Sequence, residues 1–539
     1  MAELPLRKRI YYGMGGLTMV LPDLIFMQWL LVRYLPPNSE DLMPAAWFGT
    51  IILIGRVVEG FACIVIAHVS DECRSRWGRR IPFMRFSIVP FALVFFFLFM
   101  PPAPQMSVWN AVYLLVLVQA YLVLYGLIIT PYLALLPEIT SDLKERIDLT
   151  TFQSVFLLAG NLLFALLGVV LAVCGWTLVA AGVAVLSVVF FIPVSTAIRE
   201  RHRPGGHVHE RLHLFRSIAM TLRNRPFRYL ALSMGFYWFG LNGILVLVPN
   251  WAVCVLGRGE STVTALMAPF LAVNLLFFFV MNVLAPRVGK YRLMLLTYFG
   301  SAAVMAAFAL VGLLPGTSGF VQTLIAVAFF GCPAAGFMVL PFAVMSDVAD
   351  YDEQKTDRRR EAIFFGVSGI FQKVMIGLSV LTFTYVAYIG NDGSRTLVQD
   401  GWVTFTGVYT AAGEGAEWPA PPKASAPLPM EPGTIAVQPS PAGIEAPWTL
   451  RGPDGIVQKG VGKGRLSDMP QGAYRLVWGN VAGWQSPEPL RAPTTFGLKL
   501  MAVLCAVSAL LAGFAFLGYE LRERDGKVYL VGDSQALDA

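Results

Sequence analysis

The sequence predicts an all-α membrane protein with twelve transmembrane helices in two six-helix halves and a small β-rich insert between helices 11 and 12. Three observations carry that expectation. Of 539 residues, 56% are hydrophobic and only 14% charged, against roughly 25% charged in a soluble globular chain, so polar surface is too scarce to cover the chain in water. The apolar residues come in blocks of about twenty, long enough to cross a hydrocarbon core of roughly 30 Å. Short motifs in the first half recur about 210 positions later. The mean hydropathy of +0.62 agrees, and together these exclude a cytosolic enzyme, a disordered chain and a fibrous one.

The first block lacks a small-residue cleavage site and reads as a retained span. The expected spans are 10–35, 46–68, 82–101, 108–137, 150–173, 176–198, 227–256, 263–285, 291–315, 320–346, 362–389 and 497–518. An even number places both termini on one side. Basic residues then set that side. Arg74, Arg76, Arg79 and Arg80 follow the second span, Arg199, Arg201, Arg203, Arg211, Arg216, Arg223, Arg225 and Arg228 the sixth, and Lys355, Arg358, Arg359 and Arg360 the tenth. The loops carrying them share one face, which is expected to be cytoplasmic, with both termini inside an inner (cell) membrane. The net charge of +7 and pI near 9.0 belong to these loops, so no nucleic-acid partner is expected. Six cysteines are scattered without metal-ligand spacing, and His202, His207, His209 and His213 read as a solvated basic loop. No metal and no cofactor are expected.

Residues 391–496 are too polar to span and follow an odd-numbered helix, which puts them on the outer face. Trp418 to Pro432 has linker composition. Thr434–Val437, Trp448–Arg451, Ile456–Lys459 and Tyr474–Trp478 have strand character, with a turn at Gly452-Pro453-Asp454-Gly455, and predict a small β-sandwich-like fold able to meet an extracytoplasmic partner. The expected organisation is therefore a six-helix half (1–200), a central cytoplasmic loop (201–226), helices 7–11 (227–390), the insert (391–496), then helix 12 and a cytoplasmic tail (497–539).

The repeat points to function. Gly78-Arg79-Arg80 after the second span is echoed by Gly289-Lys290 after the eighth, and Pro131-Tyr132 by Pro341-Phe342. Two features at one offset imply a duplicated six-helix unit in parallel, the arrangement of transporters that rock two halves about a central site.

Specific residues also resemble a known family. Gly55-Arg56-Val57-Val58-Glu59, then Ser70-Asp71-Glu72-Cys73-Arg74-Ser75-Arg76-Trp77-Gly78-Arg79-Arg80, is similar to the glycoside–pentoside–hexuronide cation symporters. These are the melibiose-carrier branch of the major facilitator superfamily. Pro131 to Glu138, Asp347-Val348-Ala349-Asp350-Tyr351, and Glu361-Ala362-Ile363 leading to Lys373 match as well. The resemblance covers residues 7–390 and the last span. It implies the major facilitator fold and cation-coupled uptake of sugars, with a lysolipid-carrying branch on the same scaffold. Several family positions differ here. The helix-2 aspartate pair of the family's cation site falls on Glu59 and Cys63, and further oxygen ligands fall on Ala62 and Gly126. The sugar-binding carboxylates fall on Val20 and Ile129, and the stacking tryptophan on Leu133. Glu59, Arg56, Tyr125 and Lys373 are retained.

Charged groups inside spans cost at least about 2.5–3.5 kcal/mol each to insert, so Asp23, Arg56, Glu59 and Lys373 are the candidate functional residues. Arg56 and Glu59, three apart, share a helix face. Asp23 follows Pro22, where a broken hydrogen-bond ladder lines a cavity. Lys373 is too central to reach either surface and needs an anionic partner, Asp23 or Glu59. Glu59, Asp23 and Lys373 are the expected cation-coupling groups. Glu59, read as a lone carboxylate with too few oxygens around it for sodium, favours a proton as coupling ion. Arg56, Tyr125, Gln119, Gln372 and Asn242 are expected to line the substrate cavity, with Asn250 and Asn274 further polar candidates. Asp71 with Arg74, Arg76, Arg79 and Arg80 is expected to form a gate between helix ends. No nucleotide loop, metal constellation or activated nucleophile indicates an enzyme. The expected activity is secondary transport of a small solute, sugar-like or amphiphilic. The alternatives are a lysolipid carrier, or a non-transporting anchor for the outer domain.

Overall fold

A computed structural model describes residues 5–37, 41–73, 75–140, 143–198, 221–259, 261–313, 317–356, 361–390, 394–397, 403–411, 433–440, 444–481, 484–485, 493–519, 521–524 and 527–530. The histidine cluster, the 418–432 linker and Arg358–Arg360 lie outside them. Among the described residues, 12 helices are long and apolar enough to cross a membrane. They are α1 (Leu6–Tyr34), α2 (Ala45–Glu72), α3 (Ile81–Leu98), α4 (Val108–Ile139), α5 (Leu143–Ala165), α6 (Leu167–Ala197), α7 (Arg225–Cys254), α8 (Thr262–Val288), α9 (Lys290–Ala309), α10 (Gly319–Thr356), α11 (Glu361–Val386) and α12 (Thr495–Leu517).

The helix pairings make the duplication visible in three dimensions. In the first half α1 packs on α5 and α6, α4 on α2 and α3, and α3 on α6. In the second half each pairing recurs six helices on: α7 packs on α11 and α12, α10 on α8 and α9, and α9 on α12. Two halves with the same internal packing are what a parallel repeat predicts. Between the halves, α2 lies along α11, whereas the symmetry-related pair α5 and α8 touches only slightly.

Glycines set the closeness of the α2–α11 seam. A Cβ on Gly377 would lie 2.9 Å from the Leu53 Cα and 3.3 Å from the Arg56 Cβ, and one on Gly49 would lie 2.8 Å from the Leu381 Cα. Backbone that cannot yield bounds both positions, and at Gly49 the Thr384 hydroxyl lies closer still.

The turn between the fifth span (150–173) and the sixth (176–198) falls in the expected gap: inside the run Leu167–Ala197 the backbone leaves the helix at Gly175 (φ 73°, ψ 170°), whereas Leu166, between α5 and that run, keeps right-handed helical backbone (φ −80°, ψ −8°). The left-handed φ suits glycine alone without strain. The tenth span was expected to end at 346, but α10 runs on to Thr356, well beyond the roughly 20 residues a bilayer needs.

Strands β1 (Ser394–Leu397), β2 (Val403–Val408), β3 (Thr410–Ala411), β4 (Ile435–Ser440), β5 (Pro447–Arg451), β6 (Val457–Val461), β7 (Gly464–Leu466), β8 (Gly472–Trp478) and β9 (Trp484–Gln485) separate α11 from α12. They form a four-stranded sheet in the order β1-β8-β5-β6, a three-stranded sheet β2-β4-β7 and the pair β3-β9. Leu397, Val403, Phe405, Ile435, Val437, Trp448, Leu450 and Tyr474 from the two larger sheets share one apolar cluster. Past α12, β10 (Leu521–Arg524) and β11 (Lys527–Leu530) pair antiparallel, where the sequence indicated only a tail. Tyr519 donates from its hydroxyl to the Val344 carbonyl at 3.3 Å, which ties this tail to α10.

The insert's two ends meet. The Thr494 amide donates to the Ala387 carbonyl at 2.8 Å, and the Thr494 hydroxyl to the Ile389 carbonyl at 2.6 Å while accepting from the Gly497 amide as N-cap of α12. Helix 12 thus starts two residues before the expected 497. Replacing residues 394–490 by a short flexible linker should leave a folded helical core, checked by monodisperse elution and helical circular dichroism. Thr494→Ala should cost about 1 kcal/mol through loss of the cap, and Gly377→Ala about 1–3 kcal/mol through overpacking of the seam. Both are read from thermal unfolding of the purified protein.

Candidate functional site: a buried four-charge cluster

The sequence supplies two of the charges on one helix face, and the fold brings the other two to them. In α2, Arg56 and Glu59 are one turn apart, and Arg56 Nη1 donates to Glu59 Oε2 at 2.8 Å. α1 presents Asp23 just after Pro22, and Arg56 Nη2 reaches Asp23 Oδ1 at 3.4 Å and the Met27 sulfur at 2.8 Å. From α11, Lys373 Nζ donates to Glu59 Oε1 at 2.5 Å and to the Cys63 sulfur at 3.2 Å. The formal charges, two of each sign, cancel.

Exposure divides the cluster. Arg56 and Glu59 side chains are 3% and 2% accessible, whereas Asp23 retains 26% and Lys373 20%. The interior pair is neutral, and the acid and the ammonium are the more accessible members of the cluster. An acceptor and a donor that both keep exposure suit a ligand that gives and takes hydrogen bonds.

An aromatic stack supports the guanidinium. Arg56 lies 5.1 Å from the Phe26 ring centroid. Phe26 stacks on Tyr121 at 4.6 Å, and Tyr121 stacks on Phe91 at 5.3 Å and Tyr125 at 6.1 Å. The Tyr125 hydroxyl donates to the Met19 carbonyl at 2.7 Å. A cation over a ring face is stabilised by about 0.5–2 kcal/mol, more when desolvated.

The structure corrects one expectation and rearranges others. Glu59 is not a lone carboxylate, because each of its oxygens meets a cation, Lys373 arriving from 314 residues away. Gln119 lies against α2 beside the cluster: a Cβ on Gly55 would sit 3.3 Å from its Nε2, and both its amide atoms are buried without a partner among the described residues. Gln372 is half-buried beside Lys373. Asn242 donates to the Ile376 carbonyl at 3.5 Å, bridging α7 to α11, and Asn274 to the Gly331 carbonyl at 3.2 Å, bridging α8 to α10. Asn250 is fully buried with neither amide atom partnered among the described residues.

Of the expected gate, the Asp71 side chain and Arg74 lie outside the described residues. Arg76 and Arg85 sit 4.7 and 5.0 Å from the Trp77 ring centroid, while Arg79 and Arg80 lead into α3. Sequence reasoning missed Gln28, a buried α1 amide with both polar atoms unpartnered among the described residues, and the supporting ring of Phe26. An amide within an apolar span is the signal that would have found the first. Among the described residues no group of three or more His, Cys, Asp or Glu side chains could hold a metal.

Residues 11–404 match the family model described as MFS/sugar transport protein. An uncharacterized symporter of Synechocystis sp. is 24% identical over 445 residues, covering 65% of this chain and 80% of the relative. The isoprimeverose transporter of Lactiplantibacillus pentosus is 25% identical over 355 residues, covering 62% and 70%. A putative sulfoquinovose importer of Escherichia coli is 23% identical over 406 residues, covering 72% and 84%. Among solved structures, a D-xylose-proton symporter superposes with a TM-score of 0.53 at 15% identity, covering 71% of this chain and 90% of that one. The nucleoside transporter NupG gives 0.50 at 13%, covering 72% and 93%. The solved structures establish the shared fold, and the family match over the helices that build the charge cluster establishes the kinship. This multi-pass membrane protein belongs to the MFS/sugar transport family, within its glycoside–pentoside–hexuronide symporter-like group.

Proposed function

We propose that the chain is a secondary active transporter that moves a neutral sugar or glycoside by alternating access, driven by a proton. The observation that carries the reading is the neutral cluster joining α1 and α2 of one half to α11 of the other. A site closed to zero charge favours an uncharged ligand, since an ionic one would leave a net charge in low dielectric. Hydroxyls of a sugar can accept from Lys373 and donate to Asp23. The name of the isoprimeverose transporter, a relative, supports this substrate class.

Asp23 is the better proton carrier. It is held by a single 3.4 Å contact to Arg56 and is 26% accessible, so a proton can reach and leave it while Glu59 stays between two cations. The arginine-rich loops support a cytoplasmic placement of both termini in an inner membrane. On that orientation the close approach of Gly49 to Leu381, at the start of α2 and towards the end of α11, lies on the outer side. The insert then lies outside, and Asp71 with its neighbouring arginines remains the proposed inner gate.

Uptake in proteoliposomes tests the reading. Accumulation should follow an imposed pH gradient without sodium and should be indifferent to sodium at fixed pH. Dependence on sodium alone would overturn the proton assignment. Asp23→Asn should retain counterflow exchange but lose accumulation driven by the pH gradient. Lys373→Ala should abolish accumulation while membrane insertion persists, and Lys373→Arg should rescue poorly, because a planar fork does not fit where a compact ammonium sat. Wild-type accumulation by the alanine variant would make Lys373 a structural charge only.

A further inference from the structure

The cluster contains a substitution of one kind of cation for another. Glu59 is buried at 2% accessibility, and both of its oxygens are taken by cations of this same chain, Arg56 on Oε2 and Lys373 on Oε1. The remaining contact of Lys373 is soft, the Cys63 sulfur, while Arg56 meets the Met27 sulfur, the Phe26 ring and, at 3.4 Å, the Asp23 carboxylate. The backbone on the far side of Cys63 is Gly126, where a Cβ would stand 3.4 Å from the sulfur, so no side-chain oxygen comes from that residue. A hard inorganic cation needs several oxygens, and this pocket offers one carboxylate whose oxygens are already engaged. An inorganic ion entering with Lys373 in place would also leave the four-charge set at +1 in a low dielectric.

We infer that the Lys373 ammonium is the resident cation of this site. Tethered to α11, it stands on Glu59 and Cys63 of α2 where an exchangeable ion would otherwise bind, so the wild-type protein binds no sodium there. Removing the ammonium leaves a vacancy of matching shape and charge, one that accepts a small primary ammonium rather than a metal ion. The ammonium has three N–H donors, of which Glu59 and Cys63 take two. A free methylammonium reproduces those two contacts without the tether to α11.

This inference rests on the transporter reading only for its meaning, and its test needs no transport. Thermal unfolding of the full-length protein in nanodiscs is followed while sodium or methylammonium replaces choline at constant ionic strength. The wild-type midpoint should not move with either cation. Lys373→Ala should show a saturable rise with methylammonium and none with sodium, and Lys373→Ala combined with Glu59→Gln should lose the response. A saturable sodium shift in the wild type overturns the inference without any variant, and leaves sugar transport itself standing. A folded Lys373→Ala protein that ignores methylammonium, or answers sodium equally well, also overturns it. Should Lys373→Ala not fold, Lys373→Ser, whose hydroxyl gives Glu59 a donor while leaving most of the vacancy, is judged by the same two criteria.

Discussion

Four ionisable side chains can share a site within membrane-spanning helices only as a neutral, bonded set, and that constraint organises the rest of this molecule. Each would cost several kcal/mol alone in hydrocarbon, and removing one partner of a buried pair costs about 3–5 kcal/mol because it strands the other. The set therefore fixes the relation of three helices. α1 must present Asp23, α2 must present Arg56 and Glu59 one turn apart, and α11 must bring Lys373 against Glu59. The glycines at 49 and 377 let α2 and α11 approach closely enough for a lysine on one to reach a carboxylate on the other. Small residues at a helix seam thus act in service of an electrostatic contact.

The halves share one internal packing scheme but meet unequally, α2 on α11 along a long seam and α5 on α8 barely. A perfect two-fold relation would make those contacts alike. An axis along the membrane normal puts the two pairs at equal depth, so the inequality is a lateral departure from two-fold symmetry. The charge cluster lies on the closer seam: Lys373–Glu59 sits between the Leu53–Gly377 and Gly60–Ile370 approaches.

Much of this was legible in the sequence, for identifiable reasons. Span count follows from apolar length alone, and the duplication from Gly78/Gly289 and Pro131/Pro341. Arg56 with Glu59 follows from helical spacing. The span 5–6 boundary follows from the gap left at 174–175, and the backbone turns there, at Gly175. The end of the tenth span was harder, because α10 stays helical past the apolar block, through the charged residues up to Thr356. In the insert, β5 and β8 carry clear alternation, whereas two-residue strands such as β3 and β9 exist only through each other. The error over Glu59 has the same root. Composition near position 59 shows one carboxylate, and nothing local announces a lysine from 314 residues downstream. Pairing across halves is a tertiary fact.

The position of that pair constrains how the protein can work. If rocking opens the α2–α11 seam, Lys373 and Glu59 must part, and a separation costing about 3 kcal/mol would hold that state to roughly one molecule in a hundred. A bound solute that accepts from the ammonium, together with a proton on Asp23 that frees Arg56 to serve Glu59 alone, offsets part of that cost. In the proposed cycle solute and proton then favour the same rearrangement, because each replaces a contact the seam gives up. Coupling of this kind needs no signal transmitted over distance, for the proposed binding site and the contact between the halves draw on the same four side chains.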